Sequence, residues 1–552
     1  TILTYQIFSI MPLVFVSCFT FLFPRRKHAK VLFYINIFIS LIFFTDILYA
    51  RAFGHLISIH TILAKGVTED LGWSIVSLIK WTDFLMIIDL PLSFWFISKQ
   101  SVLNDDVKKR IVNFAFTLLV SVGLMYHQFN DLEDRKNLGN IRLHPLIMSP
   151  IGEHFYDFYR FVYERSEVLD QADIEMIDDW LVNNAGLQGP HKDYAYLQGI
   201  LKGKNLIVVQ FESLENCLIN KSYMGIEITP NINRMLAHSL YFSNISEQVK
   251  DGNSSDAELL FNTSLYPLSS GSAFLRFAEN DYNSLPKLLR NYGYTSKAIH
   301  GDDKEFWNRY KVFPALGFDQ YIAEDDFKIK SFGGMGILDE ALFTQAYAEI
   351  ENLKSPYYLY IITMTSHMPF NALDKTRPSE VFKRDYTTNY IKTISYTDKC
   401  LGKFYNQLEE QGMLENTAII VYGDHEGIHK YYDETKLPDN DLEIPFIVFL
   451  PGLDGQEIQK IGGQVDMMPT LAYLLGIEYG QWASTIMGVN LFSESPGSVI
   501  RPDGEIRGSV NEIDRLVQSQ TIADKIIRGN YFSNQNRVAD LHGEPYFKEI
   551  EK

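Results

Sequence analysis

Four apolar stretches crowd the start of this chain, at about residues 3–23, 31–53, 78–98 and 110–127. Each approaches the ~20 residues that an α-helix needs to cross a bilayer. Aromatic residues gather near their ends, as they do at a lipid–water boundary. One such run would also suit the core of a soluble protein, but four in succession would not. Residues 1–127 are therefore expected to form a helical membrane domain. Lys and Arg in short loops orient it. Arg25, Arg26, Lys27 and Lys30 follow the first span, and Lys99, Lys108, Lys109 and Arg110 follow the third, so both loops are placed on the cytoplasmic side. Everything after the fourth span then lies outside the cell. Residue 1 lies outside as well, which implies one more helix upstream or a removed signal peptide. Asp46, Asp83 and Asp89 are the main charges in the apolar part, few for a transport path.

Residues 128–200 read as a helical connector, with aromatic residues at helical spacing around Phe155, Phe158, Phe161 and Val162. From 201 to 552 the pattern changes. The apolar runs 205–211 (NLIVVQF), 357–364 (YYLYIITM), 418–422 (AIIVY) and 445–450 (PFIVFL) alternate with helical candidates such as 284–292 and 388–411. Strands without polar alternation are buried on both faces, so this part is expected to be an α/β domain with a mostly parallel central sheet. Sites in such sheets lie at the carboxyl ends of the strands. With 68 acidic residues against 50 basic ones and a net charge of −18, the chain lacks the basic surface that nucleic acid requires. Cys18, Cys217 and Cys400 are far apart and form neither a disulfide framework nor a zinc knuckle.

Five polar motifs stand at or near the expected strand ends. Glu212 follows the first strand, and Asp424 and His425 follow another in Tyr422-Gly423-Asp424-His425. Two carboxylates and an imidazole make a divalent-metal site if a parallel sheet brings these ends together; taken singly, strand-end carboxylates often only cap helices. In Asp251-Gly252-Asn253-Ser254-Ser255-Asp256-Ala257-Glu258, Ser254 or Asp256 reads as a helix cap. Alternatively, it is a hydroxyl at a helix N-terminus that ionises readily beside a metal while backbone N–H groups hold a phosphate. In His300–Arg309, Arg309 is a candidate phosphate clamp through its planar fork and Trp307 a flat wall for a glycerol unit, although a Trp is more often core and an Arg more often a surface charge. His367, in Thr365-Ser366-His367-Met368-Pro369-Phe370, is a candidate for proton transfer or phosphate contact.

The order and wording of these motifs resemble the lipoteichoic acid synthase family, within the alkaline phosphatase and sulfatase superfamily. Phe-Glu-Ser at 211–213, Thr-Pro-Asn at 229–231, Gly-Asn-Ser-Ser-Asp-Ala-Glu at 252–258, His-Gly-Asp at 300–302 and Phe-Trp-Asn-Arg at 306–309 carry the likeness. His-Met-Pro-Phe at 367–370, Tyr-Gly-Asp-His at 422–425 and Gly-Gln-Val-Asp-Met-Met-Pro-Thr at 463–470 continue it. The resemblance implies a sulfatase-like extracellular domain behind a five-helix membrane domain. It also implies that Glu212, Asp424 and His425 bind one Mn²⁺ with the nucleophile oxygen as fourth ligand, Mg²⁺ or Zn²⁺ being the other ions such ligands suit. Asp302, Trp307, Arg309 and His367 would contact substrate. The chain departs from the family at one place: where the family has Gly-Lys-Thr-Ser-Asp, this chain has Gly252-Asn253-Ser254-Ser255-Asp256. Ser254 aligns with the nucleophile, Ser255 is its rival, and the neighbouring lysine is missing.

The activity so implied is metal-dependent transfer of glycerol phosphate from phosphatidylglycerol to a glycolipid anchor or a growing polyglycerol-phosphate chain. It would run through a glycerolphospho-serine, at the cell membrane of a Gram-positive type bacterium. A primase adding one glycerol phosphate, a phosphoethanolamine transferase and a lipid phosphodiesterase share that chemistry, while a transporter or an inactive scaffold would not use it. Oligomeric state is not readable.

Overall fold

The computed structural model describes residues 2–53, 56–63, 78–97, 105–136, 149–163, 168–373, 385–432 and 435–533, which divide into two compact units meeting in sequence between 163 and 168. In the first unit, helix α1 (Ile2–Cys18) runs on into a 3₁₀ turn at Phe19–Leu22. It is followed by α2 (His28–Phe53), α3 (Asp89–Ile97), α4 (Val107–Lys136) and α5 (Pro150–Tyr163). The stretches Arg25–Arg51 and Val107–Phe129 are long and apolar enough to cross a membrane. The expected span at 78–98 is not one α-helix: Trp81–Ile87 is 3₁₀ and only Asp89–Ile97 is α-helical. Asp83 explains the tight turn. Its carboxylate accepts from Lys80 N at 2.7 Å and takes both arms of the Arg51 guanidinium at 2.6 Å. Asp46 is likewise bonded to His154 at 2.9 Å, and Asp89 accepts from Asn36 at 2.6 Å. A carboxylate in apolar surroundings needs such a partner, and all three expected intramembrane carboxylates have one.

The second unit is organised by strands β1 (Asn205–Phe211), β2 (Ser239–Ser246), β3 (Thr295–His300), β4 (Gln320–Ile322), β5 (Tyr357–Ile362), β6 (Thr417–Gly423), β7 (Glu443–Phe449), β8 (Gln456–Ile458) and β9 (Gly462–Gly463). Their order is β8-β2-β7-β6-β1-β5-β3-β4, with β9 beside β2. β1, β5 and β6 are buried at every residue, as unbroken apolar runs require. All pairings are parallel except the two made by β7, which runs against β6 and β2. The run at 445–450 is thus a strand, but an antiparallel one.

Helices lie on both faces. α6 (Gln171–Ala185) precedes the sheet, and α7 (Ser254–Thr263) follows β2. α7 stacks Phe261 on Tyr422 of β6, with centroids 4.7 Å apart. α8 (Tyr386–Glu410) sets Tyr405 edge-on to Phe449, which pairs with Ile419. Ile419 and Tyr422 are three apart in one strand, so they point to opposite faces, and α7 and α8 take opposite sides.

Register decides where the polar ends fall. Phe211 pairs with Gly423, while Ile362 pairs with both Gln210 and His300. The chain therefore leaves β1, β3, β5 and β6 at a common edge, and β2, parallel to β6 across β7, leaves there too. Gly423 is needed at this edge: a Cβ there would lie 2.1 Å from the Leu214 carbonyl oxygen and 3.2 Å from Ile444 Cβ. We expect Gly423→Ala to cost about 1–3 kcal/mol, as overpacking does, and to shift Asp424; the urea unfolding midpoint measures the first effect.

Candidate metal and nucleophile site

The α7 N-terminus is preceded by a sharp turn. Asn253 has a left-handed φ of 46°, a region that Asn tolerates better than most residues. Gly252 cannot carry a side chain, because its Cβ would sit 2.1 Å from Asp256 Oδ1. Asp256 does not cap from in front; it reaches back from the first turn and accepts from Lys250 N and Gly252 N, both at 2.9 Å. Burial pushes its carboxyl up to about 7. Ser254 is then the first residue of the helix.

Ser254 Oγ lies 3.3 Å from Glu212 Oε2 and 3.4 Å from His425 Nε2. His425 Nε2 is 3.5 Å from Glu212 Oε1 and 3.5 Å from Asp424 Oδ2. These separations fall on the ~3.4 Å edge of a tetrahedron with metal–ligand bonds of ~2.1 Å. The donor chemistry also fits. His425 Nδ1 donates to the Glu426 carbonyl at 2.7 Å, which leaves Nε2 as the lone-pair nitrogen. Asp424 Oδ1 is held by Ser213 N at 2.7 Å and His425 N at 2.9 Å, whereas its buried Oδ2 has no hydrogen-bond partner. Burial, then the neighbouring Asp424 carboxylate, raises Glu212 well above the usual carboxylate range. Burial lowers His425 to about 4. A divalent cation would satisfy the orphaned oxygen and relieve the like charges, so the residues present fit a metal ion. Ser255 Oγ is engaged elsewhere, with Gly252 O at 2.6 Å and Ser272 Oγ at 3.0 Å.

The remaining expected residues surround this group less uniformly. Arg309 is buried and spends its fork on Glu258, with Nε 3.0 Å and Nη2 2.6 Å from Oε1; only Nη1 has no hydrogen-bond partner. The planar-fork clamp expected for Arg309 is therefore occupied from within the protein. The Asp302 charge acts on Arg309, and its Oδ1 accepts from Asp303 N at 2.8 Å. His367 feels both Asp424 and Arg309, and burial lowers its pKa; its Nδ1 donates to the Met368 carbonyl at 2.7 Å, so Nε2 is unprotonated when the ring is neutral. Trp307 is buried, in left-handed backbone, edge-on to Phe306 at 5.8 Å.

Two family descriptions match the chain: lipoteichoic acid synthase N-terminal domain over residues 2–167 and sulfatase over residues 204–477. Over 538 residues the chain is 29% identical to lipoteichoic acid synthase 1 of Bacillus subtilis (strain 168), covering 93% of this chain and 83% of that protein. Lipoteichoic acid synthase of Staphylococcus aureus (strain USA300) is 29% identical over 514 residues, 89% of this chain and 79% of that one. The crystal structure of the lipoteichoic acid synthase LtaP from Listeria monocytogenes matches at 27% identity with a TM-score of 0.54, covering 63% of this chain and 97% of that chain. By both descriptions and by these relatives, the chain resembles the lipoteichoic acid synthase family.

Two site neighbours were not foreseen. Glu258, the Arg309 partner, lies four residues after Ser254 and hence on the same helix face, a spacing that marks it in the sequence. Lys430 donates to Asn253 Oδ1 at 2.5 Å, and Asn253 Nδ2 lies 2.9 Å from His425 Nε2; no local pattern announces a lysine that arrives from another loop. A second donor cluster, Glu215 with Cys217 and His429, reads as a latch. Glu215 binds His429 Nδ1 at 2.7 Å and accepts from Gly427 N at 2.9 Å and His429 N at 3.0 Å, tying the segment that carries Asp424 and His425 to the segment after β1.

Two outcomes are expected. Because Glu212 holds its proton above the usual range while His425 is already neutral above about 4, each metal ion bound displaces a carboxyl proton. Metal affinity should then climb with pH, about tenfold per unit for one proton, up to the raised pKa of Glu212. Calorimetry in buffers of different ionisation enthalpy reads the proton release directly. Glu258→Ala should cost about 3–5 kcal/mol of stability, because it strands a buried guanidinium; chemical denaturation measures it.

Proposed function

We propose that this chain transfers glycerol phosphate from phosphatidylglycerol to a glycolipid anchor or a growing polyglycerol-phosphate chain, with Ser254 as nucleophile. The observation that carries the reading is the Ser254 hydroxyl at a helix N-terminus, within 3.4 Å of Glu212 and His425. Glu212, Asp424, His425 and Ser254 Oγ would hold one divalent ion, Mn²⁺ by family likeness, with Mg²⁺ or Zn²⁺ as the other ions these donors suit. When bound, the ion supplies positive charge that lowers the serine pKa.

Ser254 Oγ attacks the phosphorus of the lipid, forming the Oγ–P bond while the P–O bond to diacylglycerol breaks. The serine proton ends on the departing diacylglycerol oxygen. His367, with Nε2 unprotonated, is suited to carry that proton and later to take one from the incoming hydroxyl. That hydroxyl displaces Ser254 from the glycerol phosphate, which restores the enzyme. The N–H groups of Ser255, Asp256 and Ala257 bond to the Gly252 and Asn253 carbonyls, so at the start of α7 the Ser254 N–H would meet the phosphate, and Arg309 Nη1, with Asp302 and Trp307, would complete the substrate contacts. On this reading the chain is a multi-pass membrane protein with the sulfatase-like part outside, where its lipid donor is, and the two long apolar helices support it. Confinement to the donor's surface raises the effective substrate concentration.

The test is direct. Ser254→Ala should abolish turnover of labelled phosphatidylglycerol while keeping the fold, and Ser255→Ala should retain it. The reverse result removes Ser254 as nucleophile. Sizing the products with an anchor lipid present separates a polymerase, which gives a ladder, from a primase, which gives one addition, and from a phosphodiesterase, which gives free glycerol phosphate.

A further inference from the structure

The charges around Ser254 largely cancel. Arg309 is closed on Glu258 in a buried pair, 1% and 0% exposed. A divalent ion among Glu212, Asp424 and His425 would meet two carboxylates, so its charge is matched as well. A phosphodiester brings a further negative charge, and nearby Glu247 and Glu426 add to the repulsion when ionised. Lys430 is the exception. It is partly exposed and makes no ion pair among the described residues. Its charge nonetheless reaches the site: it acts on His425 and on Glu247. Its Nζ is bonded to the side chain of the residue directly before Ser254, at 2.5 Å, and uses one of its three donor directions there.

On this basis we infer that Lys430 is a substrate-binding residue that takes the donor phosphate as it reaches Ser254. It supplies from the 428–431 turn the cation that Asn253 lacks. The inference rests on the phosphoryl-transfer reading of the site and adds a residue that sets its affinity. Asn253 serves it as a tether: Oδ1 holds the ammonium while Nδ2 faces His425. An ammonium held near an anion in a site of reduced dielectric attracts it far more strongly than one in bulk water.

The experiment uses the full chain in phosphatidylglycerol vesicles, loaded with Mn²⁺. Lys430→Met and Lys430→Gln should each raise KM for phosphatidylglycerol about tenfold or more with a smaller change in kcat, and Lys430→Arg should stay near wild type. The deciding variant is the exchange Asn253→Lys with Lys430→Met, which moves the charge to the other side of the same contact. It should recover most of the lost KM, and a merely structural lysine would not be rescued in this way. Lys430→Gln keeps a donor to Asn253 without the charge, so it still decides the matter if Lys430→Met fails to fold. A KM for Lys430→Gln within twofold of wild type overturns the inference, as does an exchange variant that folds and binds Mn²⁺ but recovers nothing. Calorimetric binding of glycerol phosphate to the Mn²⁺-loaded protein gives an arm free of turnover. There Lys430→Gln should lose about tenfold in affinity, and an unchanged affinity overturns the inference. If wild type fails on phosphatidylglycerol yet binds glycerol phosphate through Lys430, the donor assignment falls and the lysine stands.

Discussion

The pairing of Phe211 with Gly423 across the parallel strands β1 and β6 is the constraint on which the site depends. It sets Glu212 and Asp424 side by side at the end of two strands buried at every position. Neither carboxylate could be held so deep without the strands behind it, and β1 and β6 have no water-facing side. The arrangement is costly in isolation, because like charges and burial together oppose ionisation of Glu212. A divalent cation placed there would relieve both effects, so the same crowding suits a metal ion.

Beneath Ser254 the sheet answers its own polar groups. Gln210 Oε1 lies 2.6 Å from the Tyr422 hydroxyl and 2.5 Å from the Tyr360 hydroxyl, which are 2.6 Å apart, so two hydroxyl protons are shared over this triad. The Gln210 amide reaches the Ser254 carbonyl at 3.4 Å. A satisfied network in a dry core is rigid, so the first turn of α7 rests on a fixed floor. The Asn253 turn, the Gly252 contact and the Asp256 bonds fix it from the other side. Rigidity matters here because a nucleophile stabilised by electrostatics works only when donors and charges need not reorganise.

Much of this was legible in the residues. NLIVVQF and AIIVY announce doubly buried strands, and the polar motifs at their ends mark the functional edge. Glu212, Ser254, Asp424 and His425 converge as that pattern implies. What was hidden is what depends on pairing rather than on local sequence. The run at 445–450 has the same apolar look whichever way it points, so its antiparallel direction was not readable. Strands β2 (SLYFSNIS) and β3 (TSKAIH) are too polar to stand out, yet the first delivers the chain to Ser254. The span at 78–98 looks continuous by hydropathy, and only the Asp83 bonds to Lys80 N and Arg51 explain why it tightens into 3₁₀. Arg309 reads as a surface charge or a free clamp until Glu258 is seen filling its fork.

The two cations near the site differ in kind. Arg309 is fixed by its partner, so it presents one nitrogen in one direction and carries little net charge outward. Such a group can discriminate geometry without attracting ligand from a distance. Lys430 is tethered by a neutral amide, makes no ion pair among the described residues, and stands where solvent still reaches it. On the proposed reading, attraction of an anionic lipid headgroup falls to the second, and alignment of the phosphate for attack falls to the first. With Asn before the proposed nucleophile and a lysine one loop away, the chain would separate two tasks that a single adjacent lysine would combine. This separation frees residue 253 to adopt the left-handed turn that sets the first turn of α7.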